Sequence, residues 1–368
     1  MKILMYSDIH ISKTSSILPL TCDVSKYTYR QQMIIDTGKY IASLADEHRP
    51  DLIINLGDTF DQHTVTSYDI DTASEFFKCF RYLNIPHLVI VGNHEMVDYY
   101  FNAIQLLSNI TNITVISEPC SVDTKLLPII DGYNVTATKI ADFPKIAIIP
   151  YCNHHDILEF PEGKFLFSHL DIQGASIRGD ITLADGISTD LLKQKYQLVF
   201  NGHIHKPSIM GNVVNVGSIT THSFADDNET VPQCYIFDTD TLDLQTFKPT
   251  ICPLFRKIEI QTLDELKDKI LRLDSAYKYI ITCTCPFNIK ESIKTYLNDG
   301  SSVLNFRLNV KIDKEHIEAQ KEDMIMQQSN LDIVKSFKEF LNTVDLKYPK
   351  ELYIKVLDTM KESELVEK

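Results

Sequence analysis

Five short polar clusters, each set directly behind a run of apolar strand-forming residues, constrain this 368-residue chain more than any other feature. Asp8-Ile9-His10 follows KILMYS, and Gly57-Asp58 follows LIINL. Gly92-Asn93-His94-Glu95 follows HLVIV, His169 follows KFLFS, and Gly202-His203-Ile204-His205 follows QLVFN. In a sheet covered by helices on both faces, ligand sites gather just beyond the carboxyl ends of the strands. Clusters spread over almost two hundred residues can therefore meet in one crevice.

The rest of the pattern agrees with such a sheet. Through about residue 250, short β-branched runs (2–7, 51–56, 87–91, 113–117, 145–150, 164–168, 197–200, 213–216) alternate with amphipathic stretches (29–47, 69–83, 99–107, 188–195). In the first of these stretches Met33, Ile34, Thr37, Ile41 and Leu44 recur at helical spacing. Two more strands, 235–238 and 242–248, form a hairpin around Thr239-Asp240-Thr241. The near-continuous apolar strands predict sheets buried on both faces, hence an α/β sandwich. From Arg256 the pattern restarts as strand 257–260, helix 263–273, strand 279–285, helix 289–297 and strand 303–312. A polar stretch, 313–329, precedes two amphipathic helices, one lined by Leu331, Val334, Phe337, Leu341 and Val344, the other by Leu352, Val356, Leu357 and Met360.

The residue types make joint chemical sense. A dimetal hydrolytic site needs oxygen and imidazole ligands and a carboxylate able to bridge two ions about 3.5–4 Å apart; Asp58 is the candidate bridge. Ligands two apart on an extended segment, as in Asp8/His10 and His203/His205, point to the same side. Glycine before Asp58, Asn93 and His203 lets the chain turn sharply off the sheet. A donor set of Asp, Asn and His without thiolate suits manganese, iron or zinc. Singly, each cluster is weak: a lone histidine on an apolar strand usually packs or faces solvent. Five in sequence, each at a strand end, form a strong joint signal.

That series, D-x-H, G-D, G-N-H-[DE], H and G-H-x-H, resembles the calcineurin-like metallophosphoesterase superfamily over about residues 1–250. The resemblance implies a four-layer α/β/β/α sandwich, followed by a smaller α+β capping domain and C-terminal helices. It implies one metal on Asp8, His10, Asp58 and His205 and a second on Asp58, Asn93, His169 and His203. His94 matches the family's non-ligand catalytic histidine, which stabilises the phosphorane or protonates the leaving oxygen. Two divalent ions are implied, manganese foremost with magnesium as an option, and the reaction is in-line attack of an activated water on a phosphodiester.

Within the superfamily, Asp58-Thr59-Phe60-Asp61 is similar to the G-D-[IL]-F-[DH] block of SbcD-type double-strand-break repair nucleases. The arginine of the Ser/Thr phosphatase block is missing. The stretch 216–226, VGSITTHSFAD, looks like that family's G-S-x-x-x-x-S-F-x-[ED] segment. Asp61 stands where other relatives carry a catalytic histidine, and Glu95 where the nucleases usually carry Asp. The compact length is most like bacteriophage recombination endonuclease subunits. The implied division is a nuclease domain over 1–250, a DNA-recognising cap over 256–312, a linker over 313–329 and a partner-docking segment over 330–368. The implied partners are DNA, an SbcC-like ATPase and a second copy of the chain. A phosphoesterase on small phosphodiesters or phosphomonoesters, with the C-terminal region as a lid, is the alternative reading.

Composition trims the remaining options. No run of 18 or more apolar residues occurs, so no membrane span is expected. With a strand starting at Lys2 and no basic leader ahead of it, a cytoplasmic protein (host cytoplasm if phage-encoded) is expected. The eight cysteines lack the spacing of a zinc site or a disulfide framework. Residues 1–250 carry 17 Lys and Arg against 30 Asp and Glu, and residues 251–368 carry 19 against 20, so the formal charge of −14 belongs to the first part. Bound divalent ions would offset some of it. DNA must then be gripped by a local patch, for which the cap lysines Lys267, Lys269, Lys278, Lys290 and Lys294 are candidates, or by a partner. His63, His154, His155 and His222 lie near the site segments without a place in the ligand pattern.

Overall fold

The computed structural model describes residues 1–13, 26–97, 102–108, 113–123, 128–131, 134–137, 144–152, 160–178, 181–221, 231–299, 303–311 and 353. Two six-stranded sheets make the body. In the first, Lys2–Tyr6, Leu52–Asn55, His87–Ile90 and Thr114–Ile116 run parallel. The hairpin Cys234–Asp238 with Leu244–Phe247 extends this sheet antiparallel beside Lys2–Tyr6. In the second, Ile146–Ile149, Phe165–Ser168, Leu198–Asn201 and Val213–Asn215 run parallel. Antiparallel edges, Cys120–Val122 and Ser208–Met210, close its two sides.

Alternation along the strands explains the layering. Ile3, Met5, Leu52, Ile54, Leu88 and Ile90 of the first sheet share one core with Ile146, Ile148, Phe165, Phe167, Phe200 and Val214 of the second. Their neighbours face outward: Leu4, Tyr6, Ile53 and Val89 pack under Ile34, Ile41, Phe76 and Phe77 of two helices. On the far side Ala147, Ile149, Leu166, Val199 and Val213 pack under Leu192 and Tyr196. The period of two thus builds three cores and four layers, α/β/β/α. Each large apolar side chain buried this way contributes about 1.5–3 kcal/mol.

Local chemistry sets the helix ends. Thr28 and Gln31 form a reciprocal capping box at the start of Tyr29–His48, and Thr66 and Asp69 do the same for Ser67–Lys78. The second helix therefore begins two residues before the expected 69. It also stops short of 83, because Cys79, Phe80 and Arg81 donate to carbonyls three residues back and tighten the chain into turns. Of the helix expected over 99–107, the described part is one turn, Gln105–Ser108, capped by the Asn102 side chain. The three-residue edge strands escaped the sequence pattern because they are too short to show alternation.

The unit after the hairpin is a three-stranded sheet, Leu254–Glu259, Tyr279–Pro286 and Val303–Lys311, with helices Leu263–Leu271 and Lys290–Asp299. It has its own core around Leu266, Tyr279, Ile281, Cys283, Ile293 and Leu297. Phe255 and Ile280 also join Met33 of the first helix and Cys252 in a small shared cluster. By compactness the chain divides into Met1–Asn309 and Val310–Lys368. The stretch 313–329 and both C-terminal helices lie outside the described residues, Tyr353 apart.

One buried histidine ties fold stability to pH. His87 accepts a 2.8 Å hydrogen bond from the Tyr6 hydroxyl and packs against the rings of Phe77 and Phe80. Burial pushes its pKa down to about 3. The unfolded value is near 6.5. The native state therefore disfavours the proton, and the stabilisation is complete above pH 6.5 and drains away as pH falls towards 3. At 1.36 kcal/mol per pKa unit the effect is roughly 5 kcal/mol at most. His87→Gln, which keeps an acceptor but does not titrate, should flatten the fall in melting temperature between pH 7 and pH 4.5. Identical slopes for the two proteins would refute the assignment.

Candidate metal centre

The parallel strands deliver all five clusters to one edge. Lys2–Tyr6, Leu52–Asn55 and His87–Ile90 carry Asp8 and His10, Asp58, and Asn93 and His94. Phe165–Ser168 and Leu198–Asn201 of the other sheet carry His169, and His203 and His205. Three groups have ligand atoms within 4.8 Å of one another: Asp8, His10 and His205; His10, Asp58 and His94; Asp58, His169 and His203. Asp58 Oδ2 lies 3.3 Å from His169 Nε2 and 3.7 Å from His10 Nε2. One carboxylate oxygen thus stands between the two ligand sets.

The backbone reaches this arrangement differently from the extended segments the sequence suggested. Asp8, His10, Asp58 and His203 have φ of 54°, 50°, 52° and 69°, the left-handed region. Such residues cost free energy and persist where the surroundings over-determine them. Here the determinants are backbone hydrogen bonds: Asp8 N–H to the Gly57 carbonyl at 3.0 Å, His10 N–H to that of Asp58 at 3.0 Å, and Ile11 N–H to that of Thr59 at 2.7 Å. Of the three glycines, Gly57 has the positive φ, 108°, that favours glycine. Gly92 and Gly202 are required for room instead, since a Cβ there would strike Asp58 and Ser7.

Behind the ligands stands a second set of residues, of which the motif pattern names only Glu95 and Ser218. Asn55 accepts from Gly57 N–H at 3.1 Å and donates to Thr59 Oγ1 at 2.8 Å. Asn201 accepts from Ser168 Oγ and Leu170 N–H and donates to the Leu170 and Gly202 carbonyls, pinning both histidine loops of the second sheet. The buried Glu95 carboxylate accepts from the N–H groups of Asp58, Phe60 and Gly92 at 3.2, 2.8 and 2.7 Å. Burial and the nearby Asp58 push its pKa up to about 7. Ser218, in the stretch expected to matter, donates to the Asp8 carbonyl at 2.8 Å. The buried Arg30 guanidinium donates to the carbonyls of Ile9, His10 and Thr221. The signal available was a polar residue ending an apolar strand, as in Asn55 and Asn201, but nothing in one sequence separates it from a surface amide.

Imidazole orientation follows from these neighbours. His169 donates from Nδ1 to the Leu56 carbonyl at 2.7 Å, and His203 donates from Nε2 to Asp171 Oδ1 at 2.9 Å. Their other nitrogens therefore present lone pairs, and both face Asn93 Oδ1, at 3.0 and 2.9 Å. Two imidazole nitrogens, an amide oxygen and Asp58 Oδ2 converge as acceptors, an arrangement satisfied by a cation or by protons on the imidazoles. Without a metal, protons serve. Burial opposes charge on His10 and His169, yet Asp61, Asp8 and Asp58 raise the first to about 10, and Asp58 raises the second to about 9. Asp8 and Asp58 are held below the carboxylate range by the surrounding histidines despite the burial that opposes it. The donor chemistry fits divalent ions, which would replace those protons.

His94 and Asp61 sit on the open side. His94 donates from Nδ1 to the Asp61 carbonyl at 2.5 Å, and its Nε2 is 4.0 Å from Asp58 Oδ2. The Asp61 carboxylate lies 3.5 Å from His10 Nδ1. Asp61 thus touches both histidines, one through its side chain and one through its backbone. His63 is exposed, while His154, His155 and His222 lie outside the described residues.

Carboxylate partners of ligating histidines typically change metal affinity 10–100-fold. Asp171→Ala should therefore weaken manganese binding by about that factor at one of two sites, read by calorimetric titration. Two unchanged affinities would show that Asp171 does not orient His203 for a metal.

Known proteins resemble this chain in sequence and in fold. Residues 1–207 match the model of the calcineurin-like phosphoesterase family. Exonuclease subunit 1 of Enterobacteria phage T4 is 28% identical over 202 residues, which is 51% of this chain and 53% of that protein. The chain therefore matches about half the length of that relative. Among solved structures, a novel archaeal phosphodiesterase aligns with 15% identity and a TM-score of 0.33, over 68% of this chain and 100% of that one. A dimetal phosphatase from Danio rerio aligns with 10% identity and a TM-score of 0.38, over 67% and 98%. The match across more than half of the sequence places this chain in the calcineurin-like phosphoesterase family.

Proposed function

We propose that the chain is a two-metal DNA phosphodiesterase, an exonuclease and endonuclease subunit that processes DNA ends during recombination or repair. The observation that carries the reading is Asp58 Oδ2, placed 3.7 Å from His10 Nε2 and 3.3 Å from His169 Nε2, between two ligand sets. Asp8, His10, Asp58 and His205 would hold one ion; Asp58, Asn93, His169 and His203 would hold the other. Manganese suits this oxygen and imidazole donor set, with magnesium as the second candidate. When bound, such a pair supplies Lewis acidity towards a phosphoryl oxygen and acidifies water for attack.

The chain's own residues supply orientation and protons. Asp171 and the Leu56 carbonyl fix the tautomers of His203 and His169, so that lone pairs face the site. With Nδ1 committed to the Asp61 carbonyl, His94 keeps Nε2 towards the open side, where it can protonate a leaving oxygen. Asp61 acts through His10 and His94 rather than on substrate. The phage relative's name, an exonuclease subunit, supports a nuclease working within a larger complex. In this reading 1–250 is catalytic, 256–312 is a DNA-facing cap, 313–329 a linker, and 330–368 docks on an SbcC-like ATPase. The active form is a homodimer in the cytoplasm, that of the host if the chain is phage-encoded. Among the described residues no helix is long and apolar enough to cross a membrane. Of the cap lysines, Lys267 is paired with Asp264 and Lys269 with the Glu259 carbonyl, which limits their use for phosphate contacts.

Activity on linear duplex DNA, on a nitrophenyl phosphodiester and on a nitrophenyl phosphomonoester, each with manganese, separates the two readings of substrate. The expected order places DNA first and the monoester last by at least about a hundredfold; a preference for the monoester would defeat the nuclease reading. Asp58→Asn should cut DNA hydrolysis by about a thousandfold, a loss of roughly 4 kcal/mol in the barrier. Binding of manganese by this variant should also weaken at both sites. Full activity in it would remove the shared-carboxylate mechanism.

A further inference from the structure

A cavity of about 430 Å³ opens beside the metal centre, and the two share a wall. Asp61 is that wall: it lines the cavity while its carboxylate approaches His10 and its carbonyl receives His94. A group bound there would lie next to whatever the metal centre holds. The volume is in the range that encloses a small ligand and is ample for one nucleoside.

The lining has the composition of a nucleobase site. Tyr68 is 53% exposed, an unusual position for so large a ring, and the Lys13 ammonium lies 3.5 Å from its centroid. Aromatic surface beside a cation is how proteins hold single strands without reading their sequence, stacking bases while the charge tracks the backbone. Asp61 and Asp69 repel a phosphate from the interior, whereas a neutral base is tolerated there. Asp69 is nine-tenths buried, and Oδ2 is committed to the N–H and hydroxyl of Thr66. Its Oδ1 has no hydrogen-bond partner among the described residues. A buried acceptor left in that state is costly.

Resting on the nuclease reading, we infer that this cavity takes one unpaired nucleotide flanking the scissile phosphate, its base on Tyr68 and its outer phosphate on Lys13. The substrate class is therefore a single strand, or a duplex end frayed by at least one nucleotide. The Lys13 ammonium leaves the ring for the phosphate when the base stacks.

The test uses the full chain with manganese and a single-stranded oligonucleotide whose cleaved bond is mapped. Abasic residues are placed in turn on either side of that bond, and wild type, Tyr68→Ala and Lys13→Ala are compared. Tyr68→Ala should raise KM on the intact strand about tenfold or more, the size of one lost stacking contact. It should add no further loss on the substrate that is abasic at the cavity position. Lys13→Ala should raise KM and flatten its salt dependence. The ratio of oligonucleotide to nitrophenyl diester hydrolysis should fall in both variants. The inference is overturned if Tyr68→Ala cuts the intact strand like wild type, if its loss multiplies with the abasic loss at every position, or if diester hydrolysis falls in proportion. A wild-type protein that hydrolyses the diester but no oligonucleotide overturns the nuclease reading itself.

Discussion

Everything at the catalytic edge hangs on short backbone hydrogen bonds that join the loops of two sheets into one rim. Asp8 N–H bonds to Gly57, Gly202 N–H to Ser168, His169 N–H to Ile149, and Ile219 N–H to Ser7. These bonds hold four candidate ligand residues in left-handed backbone, a conformation uncommon outside glycine although less so for asparagine, aspartate and histidine. Strain of this kind is kept only when the neighbouring structure cannot relax. The shared core between the sheets provides that rigidity, because any shift of one sheet against the other would unpack interlocked phenylalanines such as Phe165, Phe167, Phe200 and Phe237.

Buried polar side chains turn this rigidity into chemistry. Asn55, Asn201, Glu95 and Arg30 spend their hydrogen-bonding capacity on backbone groups of the ligand loops, which water cannot reach. A polar network in such a setting fixes geometry strongly when every member is satisfied. Arg30 carries the effect further. It ties the Asp8–His10 loop to Thr221, whose hydroxyl donates to Pro253, the residue before the first strand of the small sheet. The small sheet and the ligand edge are joined through Thr221 in this way.

Much of the architecture was legible from residues alone, for a physical reason. Strands buried on both faces must be apolar throughout, so the eight parallel strands and the residues ending them stood out, and all seven ligand candidates and His94 fall at one edge. Local detail was less legible. An extended D-x-H segment was the natural reading of alternate residues, yet φ near 50° brings Asp8 and His10 together by a turn. Gly92 and Gly202 look like turn glycines and instead make space. Asp171 and Asn201 resemble ordinary surface residues because their value comes from partners more than thirty positions away. Edge strands of three residues and the ends of the second helix were set by caps and turns rather than by periodicity.

The acidity of the chain then acquires a physical sense. A centre with Asp8, Asp58 and Asp61 in buried or half-buried positions draws cations strongly enough to lift His10 to about 10 when only protons are on offer. The same field repels a polyanion. In the proposed reading, divalent ions would cancel it locally where a phosphate would sit, while Asp61 and Asp69 add negative charge to the adjacent cavity. In that reading, long-range attraction of the kind basic DNA-binding proteins use would be weak, and contact would come from short-range terms: ion coordination at the reacting phosphate, ring stacking beside it, and a partner's charge beyond. Such a division would let the metals decide which phosphate is cleaved.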